Sequence, residues 1–510
     1  IGVRLVGSEM CIRDRIVDTT IVNVALNDMR GSLGATLTDV AWVITAYAIA
    51  NVIIIPMTSW LSKQFGRRNY FAVSIVIFTC SSFLCGNATN IWELVAFRFV
   101  QGLGGGALLV TAQTIITESY PVAKRGMAQA IYGMGVIVGP TLGPPLGGYL
   151  VDNFSWPYIF YINIPIGIIA TFLTILFVRS PKYGEKLSAN QVDWWGIVFL
   201  ASFIGSLQFV LEHGQQDDWF EDHMIVILSV VSLFGLVAFI WRELVYEFPI
   251  VNLRVLRNTN LWTGTIMTFI LGFGLYGSTF VIPIYTQSIL GWTATDAGLL
   301  LIPSSITTGL MMPIIGKLLE RGIPAKYLVA LGFIGFFLYS LWMHNLLTPD
   351  TSSEAMFWPL VLRGMGLGLL FVPITTLALS TLKGAEIGEG AAFTGMMRQL
   401  GGSFGIAIIT TMISRLNQQH RVDLIPNLSG IDPQTQQRVN GLQQMFIGKG
   451  FSFNEALDRA YQVLEGSISL QGTVLTYMDV FLYLGILFLI CVPFVLMMKN
   501  GSGKPASGAH

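Results

Sequence analysis

The feature that most constrains this chain is a series of long apolar runs from which charge is almost excluded. Residues 40–60, 70–88, 92–115, 128–150, 157–178, 194–211, 223–240, 262–285, 297–316, 327–346, 356–380, 392–413 and 477–498 form thirteen such runs. Each approaches the ~20 apolar residues that a helix needs to cross the hydrocarbon core of a bilayer. A shorter run precedes them, from Ile16 to about Met29. Lipid supplies no hydrogen bonds to a free backbone, so segments of this length cross as helices. Only 11% of the 510 residues are charged, against about 25% in soluble chains. The expected fold class is all-α, a polytopic membrane protein, with spans numbered 1 to 14 in chain order.

The 29 basic and 29 acidic residues cancel, so no strongly basic surface points to nucleic acid. Cys11, Cys80, Cys85 and Cys491 lie in the leader or in apolar runs without a CxxC pair. They read as small buried hydrophobes rather than disulfides or metal ligands. No GxxxxGK[ST] phosphate loop is present, so ATP drive would need a separate subunit. "GLGGGALL" lies in a span rather than after a strand, and His223 and His344 stand alone without an HExxH or Cys/His cluster. An enzyme, a metal site and a bound cofactor are therefore not expected.

Basic residues sort by loop parity. Loops after even-numbered spans carry fifteen: Lys63, Arg67, Arg68, Lys124, Arg125, Arg179, Lys182, Lys186, Arg242, Arg254, Arg257, Lys317, Arg321, Lys326 and Lys383. The short loops after odd-numbered spans carry only Arg30. This bias places the even loops and both termini in the cytoplasm. The long segment 416–473 falls on the far side. The beginning, "IGVRLVGSEMCIRDR" (1–15), is too charged to supply the first half of span 1 and has no signal-peptide core. Residues 1–15 are expected to be a non-native or mis-assembled leader, and 501–510 a disordered cytoplasmic tail.

An ionisable side chain at bilayer depth costs at least ~2.5 kcal/mol on insertion scales, so each one marks a candidate functional position. Spans 2, 3 and 5–11 contain no Asp, Glu, Lys or Arg. The exceptions are Asp18 in span 1, Arg98 in span 4, Arg363 in span 12 and Arg398 in span 13. Glu93 and Asp479 lie near span ends, where snorkelling to the headgroups accounts for them. Arg363 and Arg398 read mainly as structural, with Arg398 about two turns from its loop and suited to anchoring a helix end. Asp18 is the one carboxylate well inside a span. Burial pushes such a group toward exchanging its proton, and a neighbouring cation opposes that push. Arg98, with Gln101 and Gly102 on the same helix, is the natural cation, Gly102 leaving it room to swing. A permanent Asp18–Arg98 ion pair joining spans 1 and 4 is the competing account.

Six motifs resemble the major facilitator superfamily, and within it the EmrB/QacA-type fourteen-span drug:proton antiporters, EmrB-like multidrug efflux permeases. They are "DTTIVNVAL" (18–26), "WLSKQFGRR" (60–68), "RFVQGLGGG" (98–106), "GVIVGPTLGPPLGG" (135–148), "FYINIPIG" (160–167) and "RQLGGSFG" (398–405). The loop with Lys63, Gly66, Arg67 and Arg68 resembles the family's gating loop, but Ser59 and Lys63 replace its usual glycine and aspartate. Asn27 stands where the branch usually has proline. The resemblance implies two six-helix bundles, 16–180 and 255–500, with two inserted spans in 190–245. It also implies proton coupling through Asp18 and Arg98, driven by the proton gradient.

The stretch 135–148 resembles the antiporter motif. Gly135, Gly139, Gly143 and Gly147 recur every fourth residue on one helix face, with Gly148 beside them, so a neighbouring helix can approach backbone to backbone. Pro140, Pro144 and Pro145 remove backbone donors and bend the helix. Span 5 is thus expected inside the bundle, either as a static contact or as the surface on which the halves rock.

Span 9 carries an aromatic stripe, Phe269, Phe273, Tyr276 and Phe280, and span 2 offers Trp42, Tyr47 and Asn51. With Gln101 they form a candidate cavity wall for hydrophobic or amphipathic cargo. In the outer loop 416–473, "FNEALDRAYQVLEG" (453–466) is an amphipathic helix with Ala456, Ala460, Tyr461, Val463 and Leu464 near one side. It is expected to lie on the membrane or dock on a partner. The resemblance implies a periplasmic adaptor and an outer-membrane channel, in the inner membrane of a bacterium. The expected function is proton-coupled efflux of hydrophobic or amphipathic compounds. The alternatives are a carrier of a physiological solute and a receptor or scaffold acting through the outer loop.

Overall fold

The computed structural model describes residues 21–22, 25–26, 28–121, 124–180, 192–427 and 433–497. Asp18, Asn27, the leader 1–15, Lys182, Lys186 and the tail 501–510 lie outside the described residues. Every regular element among the described residues is helical. Polar and glycine residues at the span ends set the boundaries. The helical residues among 21–33 form α1. Thr36 and Asp39 then make a reciprocal cap on α2 (Leu37–Phe65). Gly66, at φ +80°, ends α2 in a conformation open to glycine, and α3 (Arg67–Gly86) starts at the next residue. Asn90 caps α4 (Ile91–Ser119), accepting from the Glu93 backbone N–H at 2.9 Å. Helix α5 (Arg125–Asn153) continues unbroken through Pro140, Pro144 and Pro145.

A single helical turn, Tyr158–Tyr161, leads into α6 (Asn163–Phe177). Asp193, Asp222 and Asn258 cap α7 (Trp194–His213), α8 (His223–Val245) and α9 (Thr259–Ser288). After the short helix Ala294–Leu299 come α10 (Ile302–Glu320), α11 (Ala325–Leu346) and α12 (Ser353–Leu379). The chain closes with α13 (Ala385–Leu424), α14 (Pro433–Gly448) and α15 (Phe453–Met497). Eleven of the described helices are long and apolar enough to cross a membrane. Helices α5 and α13, of 29 and 40 residues, run among them.

In the first bundle α4 is central, with α2 and α3 on either side and α6 against α3. In the second, α9 pairs with α13, α10 and α11 with α12, and α15 with α11 and α13. The bundles meet along two lines: α5 against α10 and α12, and α13 against α2 and α4. One apolar core runs through the first line, from Phe71 and Tyr132 to Met312, Phe333 and Phe371. The inserted pair sits beside the second. Helix α8 is the outrigger, with Phe234 71% exposed, an exposure that a large apolar side chain makes on lipid rather than water. Helix α7 lies inside α8 and touches both α2 and α13.

The outer segment differs from expectation. Helix α13 continues to Leu424, and α15 already begins at Phe453, so two membrane helices extend outward as a hairpin with α14 between them. At 1.5 Å per residue the 45 residues of α15 span ~68 Å. Ala456, Ala460 and Leu464 are buried, and Ala460 and Leu464 share a small core with Val439 of α14. Tyr461 and Val463 are exposed. The amphipathic stretch therefore finds its partner inside the chain. Asp479 is half-buried, with Oδ2 3.0 Å from His420 Nε2 of α13.

Candidate functional site

Among the described residues, three groups of buried polar side chains join helices that the sequence keeps far apart. The first surrounds Arg98, only 1% exposed about two turns into α4. Its Nε donates to the Val43 carbonyl at 3.3 Å and its Nη1 to Gln101 Oε1 at 2.7 Å. The guanidinium lies 4.0 Å from the Tyr47 ring centroid, a cation–π contact in a desolvated setting. Gln101 Nε2 donates to Ser82 Oγ at 2.7 Å, and Asn163 Nδ2 reaches the same oxygen at 3.4 Å. Helices α2, α3, α4 and α6 are thus tied through one network around a cation. Asn51 joins it indirectly, its Nδ2 donating to the Tyr47 carbonyl at 2.9 Å.

Glycines make the approach of these helices possible. A methyl group on Gly102 would sit 2.7 Å from the Tyr47 carbonyl oxygen, and one on Gly106 would sit 2.9 Å from that of Asn51. Gly102 therefore seats the α2 backbone rather than leaving space for Arg98. Gly104 does the same for α3, 2.9 Å from the Phe78 nitrogen. The run "GLGGG" is a three-helix junction.

The second place is the seam between bundles. Near the end that carries the basic loops, Gly126 and Gly316 bring α5 and α10 together, each hypothetical methyl 3.3 Å from the other's carbonyl oxygen. Arg125 Nη1 donates to the Leu379 and Leu382 carbonyls at 3.1 and 3.3 Å, closing the end of α12. Lys63 forms an ion pair with Glu389 of α13, whose other oxygen accepts from Asn252 at 3.1 Å. Lys63, standing where the loop motif usually has an acid, thus meets an acid on the opposite bundle. Arg67 binds Glu118 with both terminal nitrogens, at 2.5 and 2.9 Å, within its own bundle, and the Arg68 backbone N–H donates to Ser180 Oγ.

On α5 the glycines of 135–148 are buried. Gly147 faces α1, a methyl there lying 3.0 Å from the Ile21 carbonyl oxygen. Gly133, outside the fourfold repeat, faces the other bundle, 2.8 Å from Met312 Sδ and Phe371 Cδ1. Spacing could not separate these neighbours.

The third place is α7, where it bridges α2 and α13. Gln208 Oε1 accepts from Ser403 Oγ of α13 at 3.0 Å, while its Nε2 donates to Glu212 at 2.6 Å. The other Glu212 oxygen, Oε2, is buried without a hydrogen-bond partner. His213 contacts Thr45 of α2 at 3.3 Å and stacks on Phe209, with Trp42 5.5 Å away. Trp42 thus belongs to this junction, apart from Tyr47, Asn51 and Gln101. Sequence reading missed Glu212 because it falls one residue past the apolar run.

The aromatic stripe of α9 lies along the glycine face of α13. A methyl on Gly402 would overlap the Tyr276 ring, and one on Gly405 would sit 2.9 Å from the Phe273 carbonyl. Phe269 pairs with Phe404 at 5.6 Å between ring centroids, and Phe280 lies half-buried on the main core.

The two arginines of the second bundle differ. Arg363 is saturated within its bundle: Nε donates to Ser278 Oγ, Nη1 to Ser304 Oγ, and Nη2 to Thr279 Oγ1 and the Leu275 carbonyl. Arg398 crosses the seam instead, its Nη2 donating to Tyr132 OH of α5 at 3.0 Å. Because α13 starts at Ala385, Arg398 lies thirteen residues, ~20 Å, from that helix end. It therefore sits more than three turns inside the helix rather than at its terminus.

Two helical bundles joined by a glycine-lined seam, with buried cations in their spans, define a polytopic helical carrier of the membrane. The match to the family model over residues 15–406 names the class: the chain belongs to the Major Facilitator Superfamily. It is 32% identical over 498 residues to the Multidrug export protein EmrB of Escherichia coli K12, covering 97% of this chain and 95% of that one. It is 33% identical over 486 residues to the Fatty acid resistance protein FarB of Neisseria gonorrhoeae, covering 95% and 93%. The crystal structure of the human organic anion transporter MFSD10 (TETRAN) shares the fold, with TM-score 0.60 at 12% identity over 95% of this chain and 98% of that one.

Proposed function

We propose that this chain is a proton-coupled multidrug efflux transporter of a bacterial cytoplasmic membrane. It carries hydrophobic or amphipathic compounds out by antiport, with both termini in the cytoplasm. The observation that supports the reading is Arg98, a guanidinium buried in the first bundle and held there by the Val43 carbonyl, Gln101 and the Tyr47 ring. Alongside it stands the 32% identity to EmrB over nearly the whole chain. Asp18, on the first span, is the carboxylate assigned to work with Arg98. Ionised, it is drawn to the cation; protonated, it loses that attraction, and α1 is freed to shift against α5 at Gly147. Each proton entering from outside thereby biases the bundles toward opening inward, and its release restores the other state. The hairpin of α13, α14 and α15 is assigned as the surface for a periplasmic adaptor and outer-membrane channel.

Everted membrane vesicles test this reading. Acidifying the interior should drive uptake of an amphiphilic dye, and an uncoupler should abolish it. Asp18→Asn should insert normally and lose the driven component. Uptake that ignores the proton gradient would exclude antiport, and net movement in the opposite direction would make the chain an importer.

A further inference from the structure

Proton coupling through Asp18 and Arg98 leaves one buried cation at the seam without a role, Arg398. The side chain is 3% exposed, and its Nη1 is buried without any hydrogen-bond partner. Among the described residues no carboxylate lies within ion-pair distance of it. Among the described residues its side chain donates one hydrogen bond, from Nη2 to Tyr132 OH of the opposite bundle. The Phe371 ring centroid is 5.5 Å from the guanidinium carbon, and that of Tyr132 is 5.9 Å away. A buried cationic N–H lacking an acceptor is unfavourable, and proteins keep few of them.

The backbone at this point cannot retreat. A methyl on Gly272 would collide with the Arg398 carbonyl, and one on Gly401 would collide with that of Phe269. Helices α9 and α13 are therefore locked together here, and only the side chain is free to turn. Arg363 shows how the same bundle saturates an arginine it uses as a structural tie, since each of its three nitrogens has an oxygen acceptor. Arg398 is built differently. It has a fixed base, a hydrogen bond to a phenol of the opposite bundle, a buried donor without an acceptor and flanking aromatic rings.

We propose that Arg398 is the binding site for the anionic head of the cargo, and that the cargo includes amphiphilic monoanions of the carboxylate class. A carboxylate offers two oxygens to the planar guanidinium fork, and the Phe371 and Tyr132 rings that flank the guanidinium offer apolar surface to its body. Tyr132 OH holds the guanidinium while the site is empty and yields it when the anion arrives. The proposal rests on the efflux reading for the word cargo, but the binding site itself can be measured without transport.

The test is equilibrium binding of radiolabelled dodecanoate to the purified full-length chain in detergent, beside its methyl ester and dodecyltrimethylammonium. Wild type should bind dodecanoate at least tenfold more tightly than the ester. Arg398→Gln should remove that preference while leaving the cation unaffected. Arg398→Lys, which keeps charge but loses the fork, should fall between. Tyr132→Phe, which removes the competing hydrogen bond, should bind dodecanoate equally or up to several-fold more tightly. If Arg398→Gln does not fold, the ester comparison and Tyr132→Phe still decide. Equal affinity for acid and ester, or equal loss of anion and cation in Arg398→Gln, would overturn the site. Preserved anion selectivity in a chain that moves no compound across vesicles would instead overturn the efflux reading alone.

Discussion

At the scale of single residues, burial and saturation decide what an arginine does. Arg363 is enclosed by Ser278, Thr279 and Ser304, and among the described residues its hydrogen bonds stay within its own bundle. Arg363→Met is expected to strand those hydroxyls and lower stability by about 3 kcal/mol or more, since hydrogen bonds to charged groups contribute about 1.5–3 kcal/mol each. Thermal unfolding in detergent measures this, and an unchanged midpoint would contradict it. Gly102 makes the complementary case. Its methyl would meet the Tyr47 carbonyl at 2.7 Å, so Gly102→Ala should cost about 1–3 kcal/mol through overpacking and displace Tyr47 from Arg98. The charged positions were legible because lipid leaves so few of them in the spans. Their partners were not: Lys63 and Glu389 are separated by 326 positions, and nothing local in one sequence signals such a meeting. The position of Arg398 was misjudged because "AEIGEG" (385–390) has the composition of a loop yet opens α13.

At the scale of elements, the inserted pair is a bracket with one lipid face and one working face. Asp193 caps α7 and also binds Arg242 of α8 at 2.9 Å, fixing the pair at one end. Gln208 and Ser403 fix α7 to the second bundle, and His213 and Thr45 fix it to the first. Gln208→Leu leaves Glu212 without its donor and Ser403 without its acceptor. We expect it to cost more than Ser403→Ala, which should itself cost about 1–3 kcal/mol. A double-mutant cycle should show coupling between the two positions; strict additivity would remove the bridge. The turn after α7 holds Asp218 and Trp219 at φ 51° and 57°, where side chains are strained. Asp218 makes no capping bond, so Asp218→Gly should stabilise by up to about 1 kcal/mol. Span positions followed from hydropathy because the bilayer imposes it. The outward extensions of α13 and α15 were hidden, because a helix in water announces itself only through weak periodicity.

At the scale of the whole molecule, the two bundles meet through small residues along α5 and α10 and through a few polar ties near the basic loops. Along α5 the same seam also carries the shared apolar core, with the Tyr132 ring 6.1 Å from that of Phe371, so parting the bundles there uncovers apolar side chains. Lys63 and Glu389 supply one tie between bundles. Lys63→Glu or Glu389→Lys alone should place like charges together and favour the state open at that end. The two combined should restore the parent distribution, as read by pulsed electron spin distances between labels on the two bundles. Failure of the double swap to restore it would remove this pair from the switch. Arg125, reaching across to the end of α12, is expected to act with it. The most direct measurement of the central claim is proton movement driven by cargo alone. In proteoliposomes holding the full-length chain and a pH-sensitive dye, with no imposed proton gradient, an outward gradient of an amphiphile should draw protons inward. Asp18→Asn should leave the dye unchanged. Cargo that moves without protons, or protons that move in the same direction as cargo, would contradict the account.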